Sequence, residues 1–237
     1  MPDLRSQGSV RFSWSRFWYS RGRTVGESDD GYLLDPEEEH GRLIGPDAIT
    51  LADKDEIHFL GLLGEPGIGK TETIQDHVAQ LTGGLRGGHA RVVVLGDHPH
   101  YELVERAVFQ HPGFQAWRDG SKRLFLFLDG LDECMLDLPK VGAWLAGSLE
   151  GLEPEARERL YLRIACRPAV WPLGLEDRLA RLWPRSNEVL TLGPLRKRDV
   201  QGAAMQVGLD APTFMALLLL PWAIRSVPVV AGIGRRG

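Results

Sequence analysis

The run Gly64-Glu65-Pro66-Gly67-Ile68-Gly69-Lys70-Thr71 has the spacing G-x-x-x-x-G-K-T, a combination of residue types suited to holding phosphate. Glycines let the backbone curl until successive N–H groups point inward at phosphate oxygens, and a helix starting at the lysine adds the positive end of its dipole. Lys70 is placed to contact the β- and γ-phosphates, and the Thr71 hydroxyl to ligate Mg²⁺. A second chemical element is Leu124-Phe125-Leu126-Phe127-Leu128-Asp129, five apolar residues delivering a carboxylate, followed by Gly130, Leu131, Asp132 and Glu133. Asp129 suits the hydration shell of Mg²⁺ beside Thr71. The acidic pair Asp132 and Glu133, one short turn on, suits orienting or deprotonating an attacking water. A third is Tyr161–Cys166 followed by Arg167-Pro168, which sets a cation where a γ-phosphate could be sensed or stabilised. Arg167 also has a plainer reading, as a surface arginine ending a strand.

These groups meet only if their strands lie side by side with their carboxyl ends together. Short apolar runs alternate with helical patterns, which predicts an α/β fold of the P-loop NTPase type, a parallel sheet flanked by helices. The expected strands are Ile57–Leu63, Val92–Leu95, Leu124–Leu128, Tyr161–Cys166 and Val189–Leu192, each a continuous rather than alternating run, as in strands buried on both faces. Helical spacing appears at Ile74, Val78 and Leu81; at Leu103, Val104, Ala107 and Val108; and at Val141, Trp144, Leu145 and Ala146, with Pro139 where a helix can begin. The expected organisation is an amino-terminal extension over residues 1–50, an NTPase core over 51–195, and the start of a short helical tail over 196–237.

The formal charge of −4 and pI near 6.0 show no basic excess for nucleic acid or an acidic membrane, so any such contact has to be local. Two widely separated cysteines, Cys134 and Cys166, indicate neither a disulfide framework nor a zinc site. With a polar, arginine-studded start, they point to a reducing cytoplasm. Residues 1–25 carry Arg5, Arg11, Arg16, Arg21 and Arg23 among Phe12, Trp14, Phe17, Trp18 and Tyr19, while Glu27 to Glu39 holds seven acids and no Lys or Arg. The aromatic segment reads either as a strand or arm packing rings on the core with solvated arginines or as a stacking surface for nucleic acid; the first is the simpler. His98 and His100 lack a third metal ligand and read as loop. Phe214 to Gly234 is mostly apolar but contains Arg225, Pro221 and Pro228, which favours buried helices over a membrane span.

Guanine-specific P-loop proteins read the base with Asn-Lys-x-Asp, and the single asparagine here, Asn187, precedes Glu188, so ATP/ADP is expected over GTP. Taken together, GEPGIGKT, LFLFLDGLDE, RIACRP and LTLGPLRKRDV resemble the NACHT NTPase domain, in the STAND class of AAA+-related ATPases. The similarity runs over residues 30–205, and the acidic pair three positions past the metal aspartate is its most specific piece. The resemblance implies an intervening strand between the loop strand and the acidic strand, Arg167 as a sensor arginine, and a helical region opening at LGPLRKRDV. It further implies a slow Mg²⁺-dependent ATPase that oligomerises or contacts other signalling proteins as a nucleotide switch, in bacteria often in defence against phage. Such switches continue into a winged helix, often with a histidine on bound ADP, and a repeat sensor. All seven histidines here precede Asp129 and the sequence given stops at Gly237, so a truncated product, a fragment or a stand-alone NTPase is expected. The alternatives to a working ATPase are a nucleotide-bound scaffold without useful turnover and, with only the amino-terminal arginines in its favour, a nucleic-acid motor.

Overall fold

A computed structural model describes residues 12, 14–83 and 89–218, and the chain divides into two compact units. The larger comprises Phe17–Thr24 and Asp47–Gly193. Its six-stranded sheet is built from β1 (Trp18–Ser20), β2 (Phe59–Leu63), β3 (His89–Val94), β4 (Leu124–Asp129), β5 (Leu160–Cys166) and β6 (Asn187–Leu192), in the order β1-β6-β2-β5-β4-β3. The neighbours from β6 to β3 are parallel, and β1 alone runs antiparallel, pairing Trp18 with Leu192. This is the α/β P-loop NTPase fold expected from the sequence: β5 stands between the loop strand β2 and the acidic strand β4. The five parallel strands fall on the five apolar runs with ends shifted by up to three residues. β1 is an addition.

Helices cover both faces of the sheet, which is why β2 and β4 are buried along their whole length. On one face α2 (Lys70–Gly83) and a 3₁₀ turn at Leu51–Lys54 bury Ile74, Leu81 and Leu51 with Leu60, Leu62, Phe125, Phe127 and Leu190. The other face carries α3 (Tyr101–Val108), α5 (Leu131–Asp137), α6 (Val141–Glu150) and α8 (Leu173–Leu182) over Phe59, Leu63, Leu126, Leu128, Leu162 and Ile164. Short helices α4 (Pro112–Arg118) and α7 (Pro154–Arg157) complete that layer. Gly61, at the middle of β2, lies directly under Trp171: a Cβ there would fall 2.9 Å from the indole Cζ2. Phe17, Trp18 and Tyr19 are buried, whereas Arg21 pairs with Glu176 at 2.6 Å and keeps an exposed side chain. That is the packing-arm arrangement for this part of the aromatic segment.

Arg163 of β5 is fully buried, and its guanidinium donates to the carbonyls of Ile57 at 2.7 Å and Lys54 at 3.1 Å. Burial lowers its pKa to about 9, against the opposing pull of Asp55. Asp55 in turn meets His77 of α2 at 2.9 Å, so a buried polar cluster ties the segment entering β2 to the helix that follows it.

The smaller unit takes Val25–Pro46 together with described residues before Phe17 and after Gly193. Its helices are α1 (Glu39–Ile44), α9 (Lys197–Gln206) and α10 (Ala211–Leu218). Val200, Ala203, Ala204 and Phe214 form its core, with Phe12 and Trp14 packed against it. The acid-rich run finds its counter-charges here: Arg196 meets Asp199 at 2.7 Å, Glu37 at 2.9 Å and Asp35 at 3.2 Å, while Lys197 meets Asp30 at 2.8 Å. Within LGPLRKRDV, α9 begins at Lys197. Most of the apolar stretch from Phe214 to Gly234 lies outside the described residues. Among those described, no helix is long and apolar enough to cross a membrane.

Candidate functional site

The glycine-rich loop leaves β2 at Gly64 and enters α2 at Lys70. Two of its glycines are where the backbone needs them: Gly67 at φ 76° and Gly69 at φ 96° lie in the left-handed region that side chains disfavour. Gly64 is needed for a different reason, since a Cβ there would press on Ile68 and Lys70 at 3.0–3.1 Å. Its N–H donates to the Cys166 carbonyl at 3.3 Å, which fastens the loop to the end of β5. Glu65, Pro66 and Gly67 are exposed, and Ile68, Gly69 and Lys70 half-buried. The Lys70 ammonium curls back to donate to the carbonyls of Gly64 and, at 3.2 Å, Glu65. Burial holds its pKa below the usual lysine value, opposed by the negative charges of Asp132 and Asp129. An ammonium in a partly desolvated position with weak carbonyl partners is one that an incoming phosphate would stabilise.

Thr71 and Asp129, far apart in sequence, meet at the sheet edge: the Thr71 hydroxyl donates to Asp129 Oδ2 at 2.6 Å. Asp129 is buried, Thr71 exposed, and together they present two hard oxygen donors. That donor set fits Mg²⁺, which keeps several waters and takes one or two protein oxygens beside substrate phosphates. Among the described residues there is no group of three or more His, Cys, Asp or Glu that could hold a metal ion.

Gly130 turns the chain out of β4 in the left-handed region, φ 76°, and starts α5. The acidic pair then divides. Asp132 faces β5, where its Oδ2 lies 2.7 Å from Arg167 Nε and its Oδ1 accepts the Arg167 N–H at 3.2 Å. Glu133 is exposed and turns toward the end of β3: a Cβ on Gly96 would fall 2.7 Å from its Oε2, and one on Gly130 3.3 Å. Arg167 leaves β5 with 46% of its side chain exposed.

Lys70, Thr71, Asp129, Asp132 and Arg167 are therefore gathered at one sheet edge, with Glu133 at its margin. Two residues of the site had not been singled out. Cys166 receives the loop's hydrogen bond, and its thiol, buried and next to Asp132, has its pKa pushed up to about 12, so it stays protonated. Gly96 gives Glu133 room, and its only signal in the sequence is a glycine directly after the apolar run Val92–Leu95. A concavity of about 160 Å³ lined by Phe109, Phe114 and Leu152 shares no residue with this edge and is small for a ligand.

No family model matches the chain, and no curated protein matches it. Among solved structures, a DNA replication initiation factor matches with 15% sequence identity and a TM-score of 0.37, covering 68% of this chain. The chain spans 50% of that structure's length.

Proposed function

We propose that the chain binds ATP with Mg²⁺ and hydrolyses it slowly, as the nucleotide switch of a NACHT-type signalling protein. The observation that carries this is the 2.6 Å contact of Thr71 with Asp129, which joins the phosphate loop to the acidic strand across the intervening β5. Lys70 exchanges its carbonyl partners for β- and γ-phosphate oxygens, and the amides of Gly67 to Thr71 cradle the same phosphates. Bound Mg²⁺ supplies charge neutralisation between phosphates, and Thr71 and Asp129 would hold it. Of the acidic pair, Glu133 orients the water that displaces ADP from the γ-phosphorus, and Arg167, beside Asp132, reads the γ-phosphate. DGLDE with Arg167 supports the NACHT assignment, and the partners expected with it are further copies of the chain or other signalling proteins.

Extraction of nucleotide from purified protein, with calorimetric titration of Mg²⁺-ATP and a single-turnover assay, tests the proposal. Bound adenine nucleotide with measurable turnover is the expected result. Binding without turnover would replace the switch with a nucleotide-held scaffold, and no binding would end the proposal.

A further inference from the structure

We infer that Asp132 is a positioning residue for Arg167, holding its guanidinium ready for a γ-phosphate, and is not a second base. The inference rests on the nucleotide reading of the same edge. Both carboxylate oxygens of Asp132 are committed to one residue, Oδ2 to Arg167 Nε at 2.7 Å and Oδ1 to the Arg167 N–H at 3.2 Å. The carboxylate is only 9% exposed, which leaves a water little access, whereas the Arg167 side chain is 46% exposed. Pairing through Nε leaves both terminal nitrogens of the guanidinium without another partner among the described residues, and these carry the forked donors that match phosphate oxygens. The backbone contact fixes the root of the arginine and the Nε contact fixes its plane, so the side chain is preorganised before ligand arrives. Glu133 differs on every count: it is exposed, stands over Gly96, and has no ion pair among the described residues, leaving it as the acid able to orient water.

Asp132 then acts only where a γ-phosphate is present, which separates it from a merely structural residue. The test measures binding of Mg²⁺-ADP and of a non-hydrolysable Mg²⁺-ATP analogue to the full chain, with Asp132→Ala, Arg167→Ala, their combination and Glu133→Gln. Asp132→Ala and Arg167→Ala should each weaken the analogue by about 10- to 100-fold, the worth of one charge-assisted hydrogen bond, while ADP affinity stays at the wild-type value. The combined variant should be no worse than Arg167→Ala, because the first residue acts through the second. Glu133→Gln should keep the analogue-to-ADP ratio. Should Asp132→Ala fail to fold, Asp132→Asn keeps the size of the side chain and the acceptor for the Arg167 N–H while removing the charge facing Nε. It should lower the same ratio by a smaller factor. Additive losses, or a ratio unchanged in a folded Asp132 variant that has lost turnover, would overturn the inference and make Asp132 a base. Wild-type protein that binds neither nucleotide would overturn the nucleotide reading itself, an outcome distinguishable from those two.

Discussion

Replacing Lys70 by alanine should separate ligand binding from folding. In the structure the ammonium makes two contacts, to the carbonyls of Gly64 and Glu65, and both must be exchanged for phosphate oxygens when nucleotide binds. Hydrogen bonds to charged groups are worth about 1.5–3 kcal/mol, and the exchange places each new one at the lower end of that range. Two of them give about 3 kcal/mol, or roughly a 100-fold loss of Mg²⁺-ATP affinity at about 1.4 kcal/mol per decade. Stability should change far less, by about 1 kcal/mol, since the variant also relieves the desolvation of a half-buried charge and leaves the core untouched. The burial that lowers the Lys70 pKa adds a pH signature. The folded state holds this proton less tightly than the unfolded chain, so this group's contribution makes folding more favourable as pH rises through the lowered folded value. Phosphate binding needs the charged form, so ATP affinity should fall as pH rises through the same window, before an ordinary lysine loses its proton. Calorimetry from neutral to alkaline pH, alongside thermal unfolding, measures both effects. An unchanged affinity in folded Lys70→Ala, or an affinity that holds well above the ordinary lysine range, would refute the placement of Lys70 on the phosphates.

Asp129→Asn should weaken nucleotide binding in the presence of Mg²⁺ and leave binding in chelator nearly unchanged, as read by paired titrations, because the carboxylate beside Thr71 serves the metal. Gly61→Ala should destabilise the protein by about 1–3 kcal/mol, or roughly 2–4 °C in Tm per kcal/mol, since its Cβ would meet the Trp171 ring; indole fluorescence should shift with it. Gly96→Val should displace the Glu133 carboxylate and lower single-turnover hydrolysis by about 10-fold or more with ATP affinity kept, given that a positioned base is worth about 10² to 10⁴. Competition titration should show ATP preferred to GTP, and the reverse order would remove the inference drawn from the lone Asn187.

The parts legible in the sequence were those whose physics is local. A phosphate loop is eight consecutive residues whose glycines fix their own backbone, and strands buried on both faces announce themselves as apolar runs. β1 was legible only as a strand or arm laying its rings on the core: its three residues, Trp18–Ser20, sit among arginines, and what decides for a strand is the antiparallel partner at Leu190–Leu192. The shared retention of Arg167 by both oxygens of Asp132 was equally hidden, because it depends on β4 and β5 being neighbours and on α5 turning its first residues toward β5. From sequence, Asp132 and Glu133 were one acidic pair. A left-handed glycine at the start of α5 sends their carboxylates toward opposite neighbouring strands, a distinction that spacing alone does not carry.

The strand order bears on how the molecule assembles as it leaves the ribosome. β3 and β4 can pair as soon as both have emerged, since each is the other's neighbour. β2, synthesised before either, is bonded only to β5 and β6, and β1 waits for β6. A nascent chain that has emerged only through β4 therefore carries the whole phosphate-loop sequence, Lys70 included, beside a five-residue apolar strand with no backbone partner. Closing that long separation is entropically slow, and an unpaired apolar strand is exposed to aggregation meanwhile. The motif that is easiest to find in the sequence is thus among the last features the folding chain can complete.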